Sequence, residues 1–243
     1  MQLDQSANSS ESEDKTLSGL TTTALREAII NGEIAAGEKL NEPRLAEQFK
    51  VSRGPLREAI RRLVAMHLVH HVPHQGATVV TLELDSVLEL YEVREALEGK
   101  AAALAAENMS DEDITKLREL LEVHRQHYES NAGEYMQAEG DYDFHYQLIK
   151  GSGNKMLTDQ LCNELYHLIR MFRAQTSRVT ARSSRALFEH EQLVDAIEQR
   201  DPELAELVMR RHIRRARQSI ESFLRDSEDV NQPEPDHNSE AMQ

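Results

Sequence analysis

The chain has 243 residues, 39% of them hydrophobic, with a formal net charge of −15 and a single cysteine. That length allows one large or two smaller domains. No run of 18 apolar residues is present to span a membrane, and the lone Cys162 excludes an internal disulfide and suits a reducing cytoplasm.

The acidity argues against a nucleic-acid partner until it is divided along the chain. Residues 1–14 carry −4, and with no apolar stretch they read as a disordered tail rather than a signal peptide. Residues 15–81 hold nine Lys/Arg against six Glu, and four histidines besides. Within them a helix is expected from about Thr16 to Asn31, with Leu20, Ala24, Leu25, Ala28 and Ile29 inward and Asn31-Gly32 ending it. Asn41 caps a second, about Glu42 to Phe49, with Pro43 in its first turn. Ser52 is an N-cap residue type for a third, with Pro55 in the first turn and Leu56, Ile60, Leu63 and Val64 as its apolar face. Arg53, Arg57 and Arg61 recur every four residues on another face, with Arg62 beside them. Leu68–Val72 and Ala77–Thr81 are β-prone runs around the turn residues Pro73-His74-Gln75-Gly76. Helix, turn, arginine helix and hairpin are the order of a winged helix-turn-helix. A single surface arginine is ordinarily a solvated charge. Three on one face, after a cap and before a basic hairpin, point to DNA phosphates or guanine edges.

From Leu82 the periodicity is helical throughout. One long helix carries Val87, Leu88, Leu90, Tyr91, Val93, Leu97 and Ala101 to Ala106 and ends near Asn108. Ser110 or Asp111 caps a second. Asn131 opens a third, closed by Gly151-Ser-Gly153. Asn154 opens a fourth, through Phe172. A linker about 177–184 leads to a fifth from Arg185, and Asp201-Pro202 starts a sixth that ends near Leu224. Residues 227–243 read as a second disordered acidic tail. The fold expected is mostly α: a winged helix-turn-helix over residues 15–81, then an all-helical antiparallel bundle of about six helices over 82–226.

Asp141 and His145 fall four apart in the expected third helix, His190 lies in the fifth and His212 in the sixth. One carboxylate and three imidazoles suit Zn²⁺, Ni²⁺ or Mn²⁺. Spacing alone is a weak signal, because a histidine on a partly apolar face is more often a hydrogen-bonded core residue. Asp143, two residues from His145, should point away. His124 and His127 read as solvated surface residues.

The segment from Leu25 to Leu63 resembles the GntR family of bacterial transcription regulators. The resemblance implies DNA contacts from Arg44, Ser52, Arg53, Gly54, Arg57, Gln75 and Gly76, where Gly54 and Gln75 depart from the residues frequent there. Arg94-Glu-Ala-Leu-Glu-Gly, Asp141-Tyr-Asp-Phe-His145, Gly151-Ser-Gly-Asn154, Glu189-His190 and Arg211-His212-Ile resemble the FCD ligand-binding domain of the FadR subfamily. In its metal-binding members the positions of Asp141, His145, His190 and His212 are the ligands, so the resemblance implies a divalent ion, with zinc placed first. It also implies a cytoplasmic homodimer on a double-stranded operator with two-fold-related half-sites, acting as a repressor. A small carboxylate effector would meet the metal, with Arg94 as its partner and Arg170 and Arg173 as further candidates. Residues 139–154 and 161–166 are similar to regulators associated with propionate and methylcitrate catabolism genes, which suits a di- or tricarboxylate. Two other readings stand beside this one: a metal-dependent enzyme acting on small organic acids, for which no nucleophile motif is present, and a regulator whose metal is purely structural.

Overall fold

A computed structural model describes residues 16–72, 76–81, 83–131, 143–176 and 180–230. The N-terminal part holds α1 (Leu17–Ile30), α2 (Glu42–Gln48), α3 (Arg53–Ala65) and a hairpin of β1 (Val69–Val72) and β2 (Gly76–Val79). The strands pair antiparallel with Val69 opposite Val79 and Val72 opposite Gly76. Leu25, Ile29, Leu45, Leu56, Leu63, Leu68 and Val79 are sealed from solvent and form one core. The buried side of α1 differs from expectation. Leu20 is 60% exposed, Ala24 is exposed too, and Thr21 and Thr22 turn inward, their hydroxyls donating to the carbonyls of Leu17 and Ser18. Asn41 caps α2 by accepting from the Arg44 N–H. Ser52 occupies the N-cap position of α3 with extended backbone, but its side chain makes no capping bond.

The helical body contains α4 (Leu84–Asn108), α5 (Asp111–Ser130), α6 (Phe144–Gly151), the short α7 (Lys155–Thr158) running into a π-helical segment (Asp159–Glu164), α8 (Tyr166–Thr176), α9 (Thr180–Glu198) and α10 (Pro202–Val230). Its longest packing seam joins α4 to α10. Gly99 permits it, because a Cβ there would lie 2.6 Å from Cγ of Arg210.

Four boundaries depart from the sequence reading. Asn131 closes α5 instead of opening the next helix: its side-chain amide donates to the terminal carbonyl of His127. The expected fourth helix is divided by the π-helical segment, a local widening with its own hydrogen-bond pattern. The fifth begins at Thr180 rather than Arg185, and α10 continues to Val230, past the expected end at Leu224. The terminal tails 1–14 and 231–243 and the wing tip 73–75 lie outside the described residues.

The two parts meet where α8 lies against α1. Arg170 forks onto Glu27, with Nη1 and Nη2 donating to the two carboxylate oxygens at 3.0 and 2.9 Å. Beside them His167 has Nδ1 buried without a hydrogen-bond partner among the described residues. Burial, then the nearby Arg26 and Arg170 charges, push this imidazole down to about 4. A histidine with a depressed folded pKa stabilises the fold above its unfolded pKa, near 6.5, and loses that contribution as pH falls toward 4. Acidification from pH 7.5 to 5 is expected to remove about 2 kcal/mol through His167. Urea midpoints measured across that range should fall less steeply in His167→Phe, and an unchanged slope would contradict the assignment.

Candidate metal centre

Three histidines from three helices converge inside the body. His145 stands in the first turn of α6, His190 in α9 and His212 in α10, all buried. Nε2 of His190 lies 3.2 Å from Nε2 of His145 and 3.3 Å from Nε2 of His212. Each outer ring is held from behind. His145 Nδ1 is 2.7 Å from Oε2 of Glu98, and His212 Nδ1 is 2.8 Å from Oε2 of Glu189. Because a carboxylate can only accept, each Nδ1 carries a proton, which leaves Nε2, turned to the centre, as the atom that could bind a metal. His190 stacks on Phe144 with ring centroids 4.2 Å apart. Burial, then the charges of His212, His145, His124 and Arg173, hold it well below the ordinary histidine range.

Three ring nitrogens gathered this closely suit a cation held between them. Two nitrogens bound to zinc at about 2.05 Å with a tetrahedral angle stand roughly 3.3 Å apart. The observed separations match that. The residues present therefore fit a divalent first-row metal. The three histidines are the donors among the described residues; Asp141, the expected fourth, lies outside them. The helical spacing argument for Asp141 does not carry, because α6 begins only at Phe144 and Asp143 has extended backbone.

Asp143 does turn from the cluster, though as an N-cap and not from within a helix. Its Oδ1 accepts from the His145 N–H at 3.0 Å, and its Oδ2 receives Arg173 Nη1 at 3.0 Å. His124 corrects the sequence reading: it is 1% exposed, on the inner face of α5, and near enough to His190 to depress its pKa. His127 is partly exposed and pairs with Asn131.

A small cavity of about 10 Å³, room for little more than one water molecule, opens beside His145, lined by Arg94, Glu98, Asp143, Tyr146 and Arg173 among others. Arg94 is 2% exposed, with Nε donating to Oε1 of Glu98 at 2.7 Å and its guanidinium over the Tyr91 ring. Burial alone would raise the Glu98 carboxyl, but Arg94 and His145 overcome it and hold it ionised far below the usual carboxylate range. Cys162 also lines the cavity. Burial, then Asp143 and Glu98, push its thiol up to about 12, so it stays protonated and is no nucleophile. Arg170, expected here, is instead committed to Glu27, outside the cavity lining. Glu98 and Glu189 were quoted in the sequence only as parts of motifs. Each lies where a carboxylate orients a ligating imidazole, and nothing in linear spacing assigns that role.

In the N-terminal part Arg44, Ser52, Arg53, Gly54 and Arg57 are all exposed. Arg57 Nε donates to Glu42 at 2.7 Å and Arg44 pairs with Glu38, while Arg53 has no ion-pair partner among the described residues. The Nε bond leaves both terminal nitrogens of Arg57 facing outward. Gly76 opens β2 with φ +94°, a backbone that favours glycine; Gln75 lies outside the described residues.

A winged helix-turn-helix joined to a helical body defines a DNA-binding transcription regulator. Residues 21–79 match the family model for bacterial regulatory proteins of the gntR family, and residues 89–215 match the FCD domain. The chain belongs to the GntR family of transcription regulators, with an FCD domain as its body. It is 38% identical over 121 residues to the Nta operon transcriptional regulator of Aminobacter aminovorans, covering 50% of this chain and 57% of that protein. It is 30% identical over 199 residues to the HTH-type transcriptional repressor GlaR of Escherichia coli, covering 78% and 89%. The solved structure of E. coli McbR/YncC superposes with a TM-score of 0.68 at 23% identity, covering 86% of this chain and 99% of that one. These relatives are regulators, in agreement with the expectation that the chain is no enzyme. No helix among the described residues is long and apolar enough to cross a membrane.

Proposed function

We propose that the protein is a cytoplasmic, homodimeric repressor whose operator binding is controlled by a small carboxylate received beside a divalent metal. Residues 15–81 read the DNA and residues 82–226 sense the metabolite and form the dimer. His145, His190 and His212 hold the ion, with Asp141 as fourth ligand, and zinc is placed ahead of nickel and manganese. When bound, the metal supplies a Lewis-acidic centre for an oxygen of the effector. Arg94 and Arg173 supply the positive charge for the rest of the ligand. Guanidinium binds carboxylate bidentately, which suits a small di- or tricarboxylate, and the cavity must widen to receive it. The observation that carries the reading is the convergence of three imidazole Nε2 atoms at 3.2 and 3.3 Å, each outer ring oriented by a buried carboxylate.

On DNA, the exposed arginine face of α3 enters the major groove with Arg53 and Arg57, and Arg44 of α2, Ser52, Gly54, Gln75 and Gly76 complete the contact. A dimer places two such faces on two-fold-related half-sites. Selection from a randomised duplex pool tests this: the wild type should enrich a two-fold-related site. Arg57→Ala should lose about 1–3 kcal/mol at one base position if it reads guanine. If it grips phosphate it should weaken all sequences alike, with a shallower salt dependence. Unaltered binding would remove Arg57 from the interface.

A further inference from the structure

We infer that Glu27 and Arg170 are positioning residues that hold the DNA-reading module in register with the sensing body, and that α8 links this joint to the histidine site. The inference rests on the proposed function and deepens its regulation. Three observations carry it. The pair is a full fork, two N–H donors on two carboxylate oxygens at 3.0 and 2.9 Å, and the Arg170 side chain is only 9% exposed. It joins residues 143 apart in sequence, from two different parts of the fold. Glu27 sits on α1 between Leu25 and Ala28-Ile29, which pack into the core shared with α3. Fixing Glu27 therefore fixes the orientation of the arginine face.

The third observation lies one turn further along α8. Arg173, three residues on and so on the same side of the helix, donates to Oδ2 of Asp143 at 3.0 Å. The other oxygen of that carboxylate caps α6 through the His145 N–H. One eleven-residue helix thus holds the DNA module by Arg170 and the wall of the cavity by Arg173. An anionic occupant of the cavity competes with Asp143 for Arg173. Any resulting displacement of α8 reaches Glu27 without an intervening flexible segment. Such an occupant alters DNA affinity only to the extent that it binds the two placements of α8 differently, and couplings of this kind are roughly 5–150-fold.

The full-length protein tests the joint in two ways. Glu27→Gln keeps the shape and removes the charge, and the exchange Glu27→Arg with Arg170→Glu reverses the pair. Hydrogen exchange should accelerate at least fivefold in the amides of α1 and α8 in Glu27→Gln and in Arg170→Glu, and return toward wild type in the double exchange. In DNA selected from a randomised duplex pool, the single variants should enrich the same half-site sequence as the wild type but with a broadened half-site spacing, and the double exchange should narrow it again. Unchanged exchange in both helices, or a double variant no better than the worse single one, would overturn the joint. A single variant that changes the half-site sequence itself would mean damage to the DNA reader, and this too counts against a positioning role. If the wild type enriched no sequence, the DNA-reading assignments would fail, while hydrogen exchange would still decide the joint.

Discussion

Replacing His190 by alanine is expected to abolish stoichiometric metal binding and to make the protein's melting temperature indifferent to chelators. His190 is the central member of the cluster, with its Nε2 in contact with both other Nε2 atoms. Its removal leaves two imidazoles and the proposed Asp141 carboxylate to hold the ion. Loss of an outer-shell partner alone typically costs 10–100-fold in affinity, roughly, and loss of a ligand should cost more. A metal present at a hundred times its Kd stabilises the folded state by about 2.7 kcal/mol, and that increment disappears with the site. Wild-type protein should therefore melt lower when stripped by a chelator, and the variant should not respond. Metal analysis of purified, untagged protein checks the first part and thermal unfolding with and without chelator the second. The arginine face is remote from the cluster, so the variant should keep DNA affinity while losing its response to carboxylates. Full occupancy in the variant would refute the assigned ligand set.

The legible parts of this chain were those specified locally. Pro43 after Asn41, Pro55 after Ser52, and the turn residues between two β-prone runs each specify backbone within a few residues, and the winged module formed as they dictate. The family motifs drew attention to His145, His190 and His212, and the structure brings these three together. What was not legible depends on packing between distant segments. Linear spacing could not separate Arg170 from Arg173: both lie on one side of α8, yet one faces α1 and the other Asp143. His124 looked solvated because it matches none of the family's ligand positions; only the docking of α5 shows that its direction is inward. Leu20 on α1 is the reverse case, an apolar residue at helical spacing that the body leaves uncovered. The roles of Glu98 and Glu189 emerge only when α4 meets α6 and α9 meets α10, because a carboxylate that orients an imidazole carries no signature in sequence.

The second large effect is expected at Glu98. Glu98→Ala should destabilise the helical body by about 3–5 kcal/mol, the usual consequence of removing one partner from a buried ion pair. Glu98 and Arg94 are 1% and 2% exposed, and each Glu98 oxygen is used, Oε1 by Arg94 and Oε2 by His145. Alanine leaves a buried guanidinium without its counter-charge and an imidazole N–H without an acceptor. Glu98→Gln is expected to cost less, because one amide oxygen still accepts. Its NH₂, however, faces a second donor, either Arg94 Nε–H or His145 Nδ1–H, so part of the loss remains. Replacing both members together, Arg94→Leu with Glu98→Leu, should recover much of the stability, since the cost lies in the stranded charge and not in the absence of the pair. The double variant should not recover metal affinity. His145 would still lack the carboxylate that fixes its tautomer, and a deficit of about 10–100-fold should persist in all three variants. Urea unfolding followed by helix content measures the first quantity and competition with a metal indicator the second. Stability and metal affinity should thus separate in the double variant. Their joint recovery would mean that Glu98 serves only to neutralise Arg94, and that the orientation of His145 comes from the Asp143 cap and the packing around it.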